Sequence, residues 1–453
     1  MIGLYDIMKK TSDLTEGKTG RVFLNFFFPM LFTNLLQQLY TFVDITIVGK
    51  GLGDNALAAV GNISVLTLLI IGFSQGVTNG FSVIIAQNFG NGNILTLRRS
   101  IAESIKLSVI LSIILTGFSL IFLKNILLIM QTDFSIFNDS LIYGFVILGG
   151  LIITMGYNLC SGILRSFGDS QTPFLAIMVS SVLNILLDVL FIFILKAGVG
   201  SVAVATIISQ AVSTVICVIR LLRAEGMQLN REDFKGDFIL TSVLLKNGIP
   251  AACMNSVTAV GCMIVQSYIN TLGVVYTSAY SVCNKYINFF MLPSVTAGFA
   301  ICAFTSQNFG AEKYDRIEQG IRIGVMIGII SYLICGGIMV IIPDVLAMIM
   351  LNGHRTIQLT ADFLRICGSL FFTLNFLFIY RSAVQGMGKP FIPMLSGFLE
   401  MALRIFVIVF FLPGIGFPAA AYAEVTAWIG ALIINMSAYK YMMSDRYKIK
   451  KYS

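Results

Sequence analysis

Apolar runs of about twenty residues, separated by short Gly- or charge-bearing turns, fill almost all of the 453-residue chain. A run of that length is what an α-helix needs to cross the hydrocarbon layer of a bilayer. Twelve can be counted, at roughly 23–48, 55–80, 101–123, 140–163, 173–195, 201–221, 249–270, 275–304, 321–342, 360–380, 391–412 and 418–439. The longest polar segment, with Arg231, Glu232, Asp233, Lys235 and Asp237, lies in the middle. The pattern predicts an all-α integral membrane fold of twelve transmembrane helices in two pseudo-symmetric six-helix lobes. The boundaries it implies are 1–222 for the N-lobe, 223–246 for a cytoplasmic linker, 247–440 for the C-lobe and 441–453 for a basic cytoplasmic tail.

The two halves repeat one another. Gln87-Asn88-Phe89-Gly90 recurs 220 residues on as Gln307-Asn308-Phe309-Gly310. At the same offset Gly53 matches Gly273, Gly168 matches Gly388 and Pro173 matches Pro393. Near the ends of the halves, Gly198-Val199-Gly200 corresponds to Gly414-Ile415-Gly416. Six helices per half give both halves one orientation, so the expected symmetry axis lies along the membrane normal, with the substrate path between the lobes.

Charge refines the topology. Counted over alternate loops, twenty-three Lys and Arg fall on one side and four on the other, with Lys285, Arg365 and Arg404 inside spans. Basic residues collect on the cytoplasmic side, so both termini are expected there. The net charge of +8 is thus a product of topology and does not imply nucleic-acid binding. At 57% hydrophobic and 11% charged, with a mean hydropathy of +0.88, the chain lies far from a soluble domain. The eight cysteines sit in apolar runs without metal-ligand spacing, and read as small buried hydrophobes without disulfides. The first twenty residues are polar and charged, which predicts no cleavable signal peptide.

Against this background two carboxylates stand out. Asp44 and Asp188 are the only ionised groups in their spans, and a charge at membrane depth costs roughly 3 kcal/mol or more. Asn34, Gln37, Thr41 and Asp44 share one face of the first helix, and Ser181, Asn184 and Asp188 one face of the fifth. Thr206, Ser209 and Ser213 do the same in the sixth. Such faces must look inward. Two carboxylates, an Asn oxygen and a Thr hydroxyl offer only oxygen, which suits a hard cation such as Na⁺ or a shared proton. Two adjacent carboxylates do not both hold charge cheaply, which helps such a site load protons. The alternative is that these residues act as interhelical packing glue. The second half differs: Glu400 and Arg404 form an i, i+4 pair that cancels its own charge, and Glu424 has no sequence-local partner. Asn255 in the seventh helix and Lys285 in the eighth are further polar groups that could line a cavity. Pro29 allows a bend in the first helix. The only histidine, His354, lies in an external loop, so membrane-embedded enzyme chemistry is not expected.

These residues resemble those of the MATE (multidrug and toxic compound extrusion) family, and most of all its bacterial DinF-like branch. The resemblance spans essentially the whole chain. It is carried by Pro29, Gln37 and Asp44 with Ile47-Val48-Gly49, by Ala58-Ala59-Val60-Gly61, by Ala86-Gln87-Asn88-Phe89-Gly90 and by Arg165-Ser166-Phe167-Gly168-Asp169. The set Asp44, Asn184, Asp188 and Thr206 is similar in type and spacing to the N-lobe cation site of that branch, and Gln37 to a position facing its drug cavity. The NorM-like branch carries acids on helices seven and ten. Here helix seven has none and Asp362 only opens helix ten, so a C-lobe sodium site is not implied.

The resemblance implies an antiporter, not an enzyme, driven by H⁺ or Na⁺ and needing no cofactor. Its expected cargoes are small amphiphilic, often cationic compounds, and it is expected to act as a monomer in the bacterial cytoplasmic membrane. A flippase or exporter of a lipid-linked or other dedicated metabolite is the competing reading.

Overall fold

The computed structural model describes residues 13–224 and 229–452, with side chains as far as Ser444. Among the described residues all regular structure is helical. Before the polar segment come α1 (Thr19–Leu52), α2 (Asp54–Gly90), α3 (Ile94–Ile129), α4 (Phe134–Gly149), α5 (Leu151–Ser166), α6 (Gln171–Val189) and α7 (Gly200–Leu222). After it come α8 (Phe238–Asn270), α9 (Val274–Phe290), α10 (Leu292–Gly310), α11 (Tyr314–Ser331), α12 (Gly337–Ile341), α13 (Pro343–Met350), α14 (His354–Ser369), α15 (Phe371–Gly386), α16 (Phe391–Ile415) and α17 (Pro418–Tyr452). A π-helical turn, Leu190–Ile194, prolongs α6, and another, Tyr332–Gly336, joins α11 to α12.

Nine helical stretches among the described residues are long and apolar enough to cross a membrane, and the count reaches twelve when each of three bent pairs is one span. The protein is a multi-pass membrane protein. The sequence pattern draws every span unbroken; the structure bends α4/α5 by 43°, α9/α10 by 44° and α14/α15 by 51°. The causes are local. Gly149-Gly150 and Gly368-Ser369 weaken the helix at two of the bends, and at the third Pro293 removes a backbone donor.

The repeat is written into the backbone. Gly53 and Gly273 both turn the chain at positive φ (87° and 106°), as do Gly168 and Gly388 (79° and 75°). A side chain is strained there, so glycine recurs at the same offset. The bends at Gly150 and Leu370 lie 220 residues apart as well. The break at Met291 has no such counterpart, because α2 is continuous.

Contacts divide the chain into two compact units. One holds Leu24–Ala252; the other holds Thr15–Phe23 and the chain from Cys253 onward. The sequence places a cytoplasmic linker at 223–246, and the described part of that segment packs on the first unit. Arg98 binds Asp233 at 2.5 Å, Glu103 Oε1 accepts from the Asp237 amide at 3.0 Å, and Lys106 donates to the Phe234 carbonyl at 3.1 Å. Burial alone would raise the Asp233 carboxyl, but the Asn230 amide and Arg98 outweigh it and hold it below the usual carboxylate range. Beyond this segment α8 lies against α2 through Gly76 and Gly80. A Cβ on Gly76 would meet Ala252 Cα at 2.5 Å, and one on Gly80 would meet Gly248 Cα at 2.5 Å. This spacing of small residues lets two membrane helices touch backbone to backbone. Residues 225–228 of the expected linker and 453 of the expected tail lie outside the described residues; the rest of the tail continues α17 through Tyr452.

The opening of α1 is held in the second unit. Lys313 donates to the Thr15 carbonyl at 2.9 Å, and Arg316 to the carbonyls of Gly17 and Glu16 at 2.7 and 3.0 Å. Thr19 Oγ1 donates to Gln319 Oε1 at 2.6 Å, and Phe23 packs edge-on to Phe304. The second unit's core gathers Tyr280, Phe363, Phe371 and Trp428; in the first, Phe81, Ile85, Met155 and Phe167 form one cluster and Val48, Ile63, Tyr143 and Leu148 another. All eight cysteines are free thiols.

Candidate cation site in the first unit

Helices α1, α6 and α7 carry the residues singled out in the first half. In the charge-poor, strongly apolar α6 the polar residues Ser181, Asn184 and Asp188 recur at helical spacing among positions held mostly by Leu, Ile and Val. That spacing buries Ser181, Asn184 and Asp188 on one side, with Asn184 and Asp188 only 2% and 0% exposed. Asp44 is half-buried, and its carboxyl faces that of Asp188 closely enough for one to hydrogen-bond to the other. Yet Asp44 Oδ1 and both Asp188 oxygens find no donor in the protein.

This arrangement has a direct chemical meaning. Two carboxylates hydrogen-bond to each other only if a proton lies between them. Without that proton, two charges face one another in a poorly solvated place, which needs a cation to offset it. Unsatisfied buried polar atoms cost about 1–3 kcal/mol each. Beside the two carboxylates stand further unpartnered polar atoms: Asn184 Oδ1, an acceptor, Asn184 Nδ2, a donor, and the Ser181 and Ser209 hydroxyls, which can do either. α6 and α7 pack along each other. Thr206, the fourth expected ligand, is half-buried on α7 and donates to the Val202 carbonyl of its own helix at 3.0 Å, leaving its lone pairs as acceptors. Among the described residues no group of three or more His, Cys, Asp or Glu gathers. A bound cation would therefore rest on two carboxylates and neutral oxygens.

Two aromatic residues join the site that sequence reasoning passed over. Tyr40 and Tyr143 both lie within electrostatic reach of Asp44 and Asp188. Tyr40 precedes Asp44 by one helical turn, a signal present in the sequence. Tyr143 comes from α4 and has no sequence-local mark.

The expected cavity residues are spread over three helices. Asn34 and Gln37 are half-buried on α1, and Thr41 is exposed there with its hydroxyl donating to the Gln37 carbonyl at 2.8 Å. Asn255 is half-buried on α8, and Lys285 is exposed on α9. The first three fall in one unit and the last two in the other.

The second half is built differently. Arg381 binds Glu400, while Arg404 donates to Glu424 through Nε and Nη2 at 3.1 and 3.0 Å and stands 3.6 Å from Glu400. All four are buried, with two charges of each sign. The i, i+4 neighbours Glu400 and Arg404 are therefore not each other's main partners, and Glu424 gains one that its local sequence does not reveal. The partners come from α15 and α17, which only the tertiary fold brings to α16. At the repeat offset Arg404 stands where Asn184 stands in the first half. Asp362 is exposed and pairs with Arg365 at 3.3 Å.

Two six-span halves related by a repeat, with one facing pair of acids that finds no protein donor among the described residues, describe a membrane transporter. The MatE family profile matches residues 29–190 and 250–410, one stretch in each half. The chain belongs to this family, the MATE multidrug efflux transporters. It is similar to the "Probable multidrug resistance protein YoeA" of Bacillus subtilis, at 31% identity over 74% of this chain and 73% of that one. It is also similar to the "FAD transporter" of Shewanella oneidensis, at 22% identity over 84% and 86% of the two chains. A solved MOP superfamily transporter from Pyrococcus furiosus, described by a reversed polarity of its binding pocket, shares the fold with a TM-score of 0.90. It covers 96% of this chain and 98% of its own at 21% identity.

Proposed function

We propose that this protein is a cation-coupled antiporter that exports amphiphilic, often cationic compounds by alternating access. A proton, or secondarily Na⁺, enters from outside and binds at Asp44 and Asp188, with Asn184 and Thr206 completing the oxygen set. The observation that carries this reading is the facing acid pair without a protein donor. The second half supports a single coupling site, because its buried acids are already matched by Arg381 and Arg404. The protein works without a cofactor and without catalytic chemistry, as a monomer in the bacterial cytoplasmic membrane with both termini cytoplasmic. The excess of basic residues on one side favours that orientation.

The test uses inverted membrane vesicles with an imposed pH gradient or an imposed sodium gradient, applied separately. Uptake of a fluorescent dye under either gradient, abolished by its collapse, is the expected result. No uptake under either would remove the antiport reading. If the acids share one cation, Asp44→Asn/Asp188→Asn should be little worse than either single substitution, because groups acting as a unit are not additive. Additive losses would mean two independent sites.

Selectivity should be broad. A cargo face with Asn34, Gln37 and Thr41 on α1, in a chain rich in Phe, Tyr and Met, binds by apolar contact and stacking, with cation–π attraction for charged rings. Several unrelated aromatic cations are expected to compete with one another at similar affinity. Gln37→Ala should shift their relative export by about 1 kcal/mol or less, within the range of a single neutral hydrogen bond, without uncoupling transport. The competing reading, a dedicated metabolite or lipid-linked cargo, is favoured by the similarity to a protein named an FAD transporter. One tight cargo without dye competition would decide for it.

A further inference from the structure

A cavity of about 480 Å³ opens beside the first turn of α1, wholly within the second unit, lined among others by Lys18, Thr19, Arg316, Gln319, Arg322 and Ile323. Its lining holds three cationic side chains and no acid. Arg316 builds the floor, its guanidinium donating to the carbonyls of Gly17 and Glu16 and, at 3.2 Å, to Asn308 Oδ1. Thr19 and Gln319 close one wall through their 2.6 Å hydrogen bond. Lys18 and Arg322 stand exposed at the rim. Arg322 pairs with Glu318 at 2.5 Å, an exposed i, i+4 contact that an incoming anion can replace. The first turn of α1 carries no acid, and its amides add the positive end of the helix dipole.

The cavity also has an apolar continuation. Arg322 begins a face of α11 that runs through Met326 and Ile330, both more than half exposed. These positions lie one and two turns onward on the same side. A soluble anion would use only the basic end; a phospholipid uses both. The basic end lies on the side of the protein rich in Lys and Arg, where anionic lipid headgroups collect such residues.

We propose that this cavity binds the phosphate headgroup of an anionic phospholipid, with Lys18 and Arg322 on the phosphate and an acyl chain along Met326 and Ile330. The full-length protein in detergent is titrated with phosphatidylglycerol or phosphatidylcholine, and bound lipid is read by native mass spectrometry. The wild type should retain phosphatidylglycerol about tenfold or more over phosphatidylcholine. Each basic residue near an anionic surface is worth about fivefold, so Lys18→Gln/Arg322→Gln should erase the preference. Gln319→Glu keeps an acceptor for Thr19 and should lower it by about fivefold through repulsion. Lys50→Gln/Lys124→Gln, on the opposite side, should leave it intact. Equal retention of the two lipids, or an unchanged preference in the Lys18/Arg322 variant, overturns the proposal. Displacement of phosphatidylglycerol by millimolar inorganic phosphate would also overturn it and give the cavity to a free anion.

Discussion

Asp44→Asn should stop gradient-driven export while leaving expression and helical content near those of the wild type. The amide keeps the volume of the carboxyl and loses its charge. It also sets a donor directly opposite Asp188: the new side-chain NH₂ group can hydrogen-bond the Asp188 carboxylate, which otherwise has no partner for either oxygen. The pair is then held as though permanently loaded, and no cation needs to enter. Each charge moved inward across 100 mV releases about 2.3 kcal/mol, enough for roughly 50-fold accumulation of a neutral cargo. The variant should show no such accumulation in vesicles, while binding dye in detergent with an affinity within a few-fold of the wild type. Wild-type accumulation in the variant would remove Asp44 from the mechanism.

Glu400→Gln is expected to have the largest effect on stability. It strips the carboxylate from Arg381, which is buried, while Arg404 keeps Glu424. Breaking one side of a buried pair costs about 3–5 kcal/mol, because the remaining charge is left without compensation. Replacing the pair together, as Arg381→Met/Glu400→Leu, should restore most of the loss, since apolar groups of similar volume often match a buried ion pair. Thermal melting of the detergent-solubilised variants reads both effects. A double variant that folds like the wild type but does not transport would make the pair part of the transport machinery.

Much of this was legible in the sequence, for identifiable reasons. Hydropathy locates membrane spans because the bilayer demands both length and apolarity, and the glycine pairs 53/273 and 168/388 mark the repeat because each member sits at a positive φ that other residues strain to reach. Asp44 and Asp188 stand out because a charge in an apolar run is costly. That their carboxyls meet is a tertiary fact, since they lie on different helices. Tyr143 could not be found for the same reason. The pairing of Glu400 misled because local spacing offers Arg404, whereas the closer guanidinium is brought from α15 by folding. The bends at Gly150 and Leu370 were missed because short Gly- and Ser-containing steps lower hydropathy too little to divide an apolar run.

The placing of the two unit boundaries has a consequence for how this protein can be cut. The first turns of α1, Thr15–Phe23, belong to the unit built mainly from the second half, and the first turns of α8, up to Ala252, belong to the unit built from the first. Each half of the sequence thus lends the other the opening of its leading helix; the family profile begins at Pro29, after the first borrowed segment, and resumes at Pro250, near the end of the second. Neither half is a self-sufficient fragment. A C-terminal piece starting at residue 253 would leave Arg316, Lys313 and Phe304 without the stretch of backbone and the phenyl ring they hold. An N-terminal piece ending at residue 222 would uncover Gly76 and Gly80, whose missing side chains make room only for α8. Two-piece expression therefore has to divide the chain between α7 and α8 and supply both pieces to the same cell, so that each can complete the other.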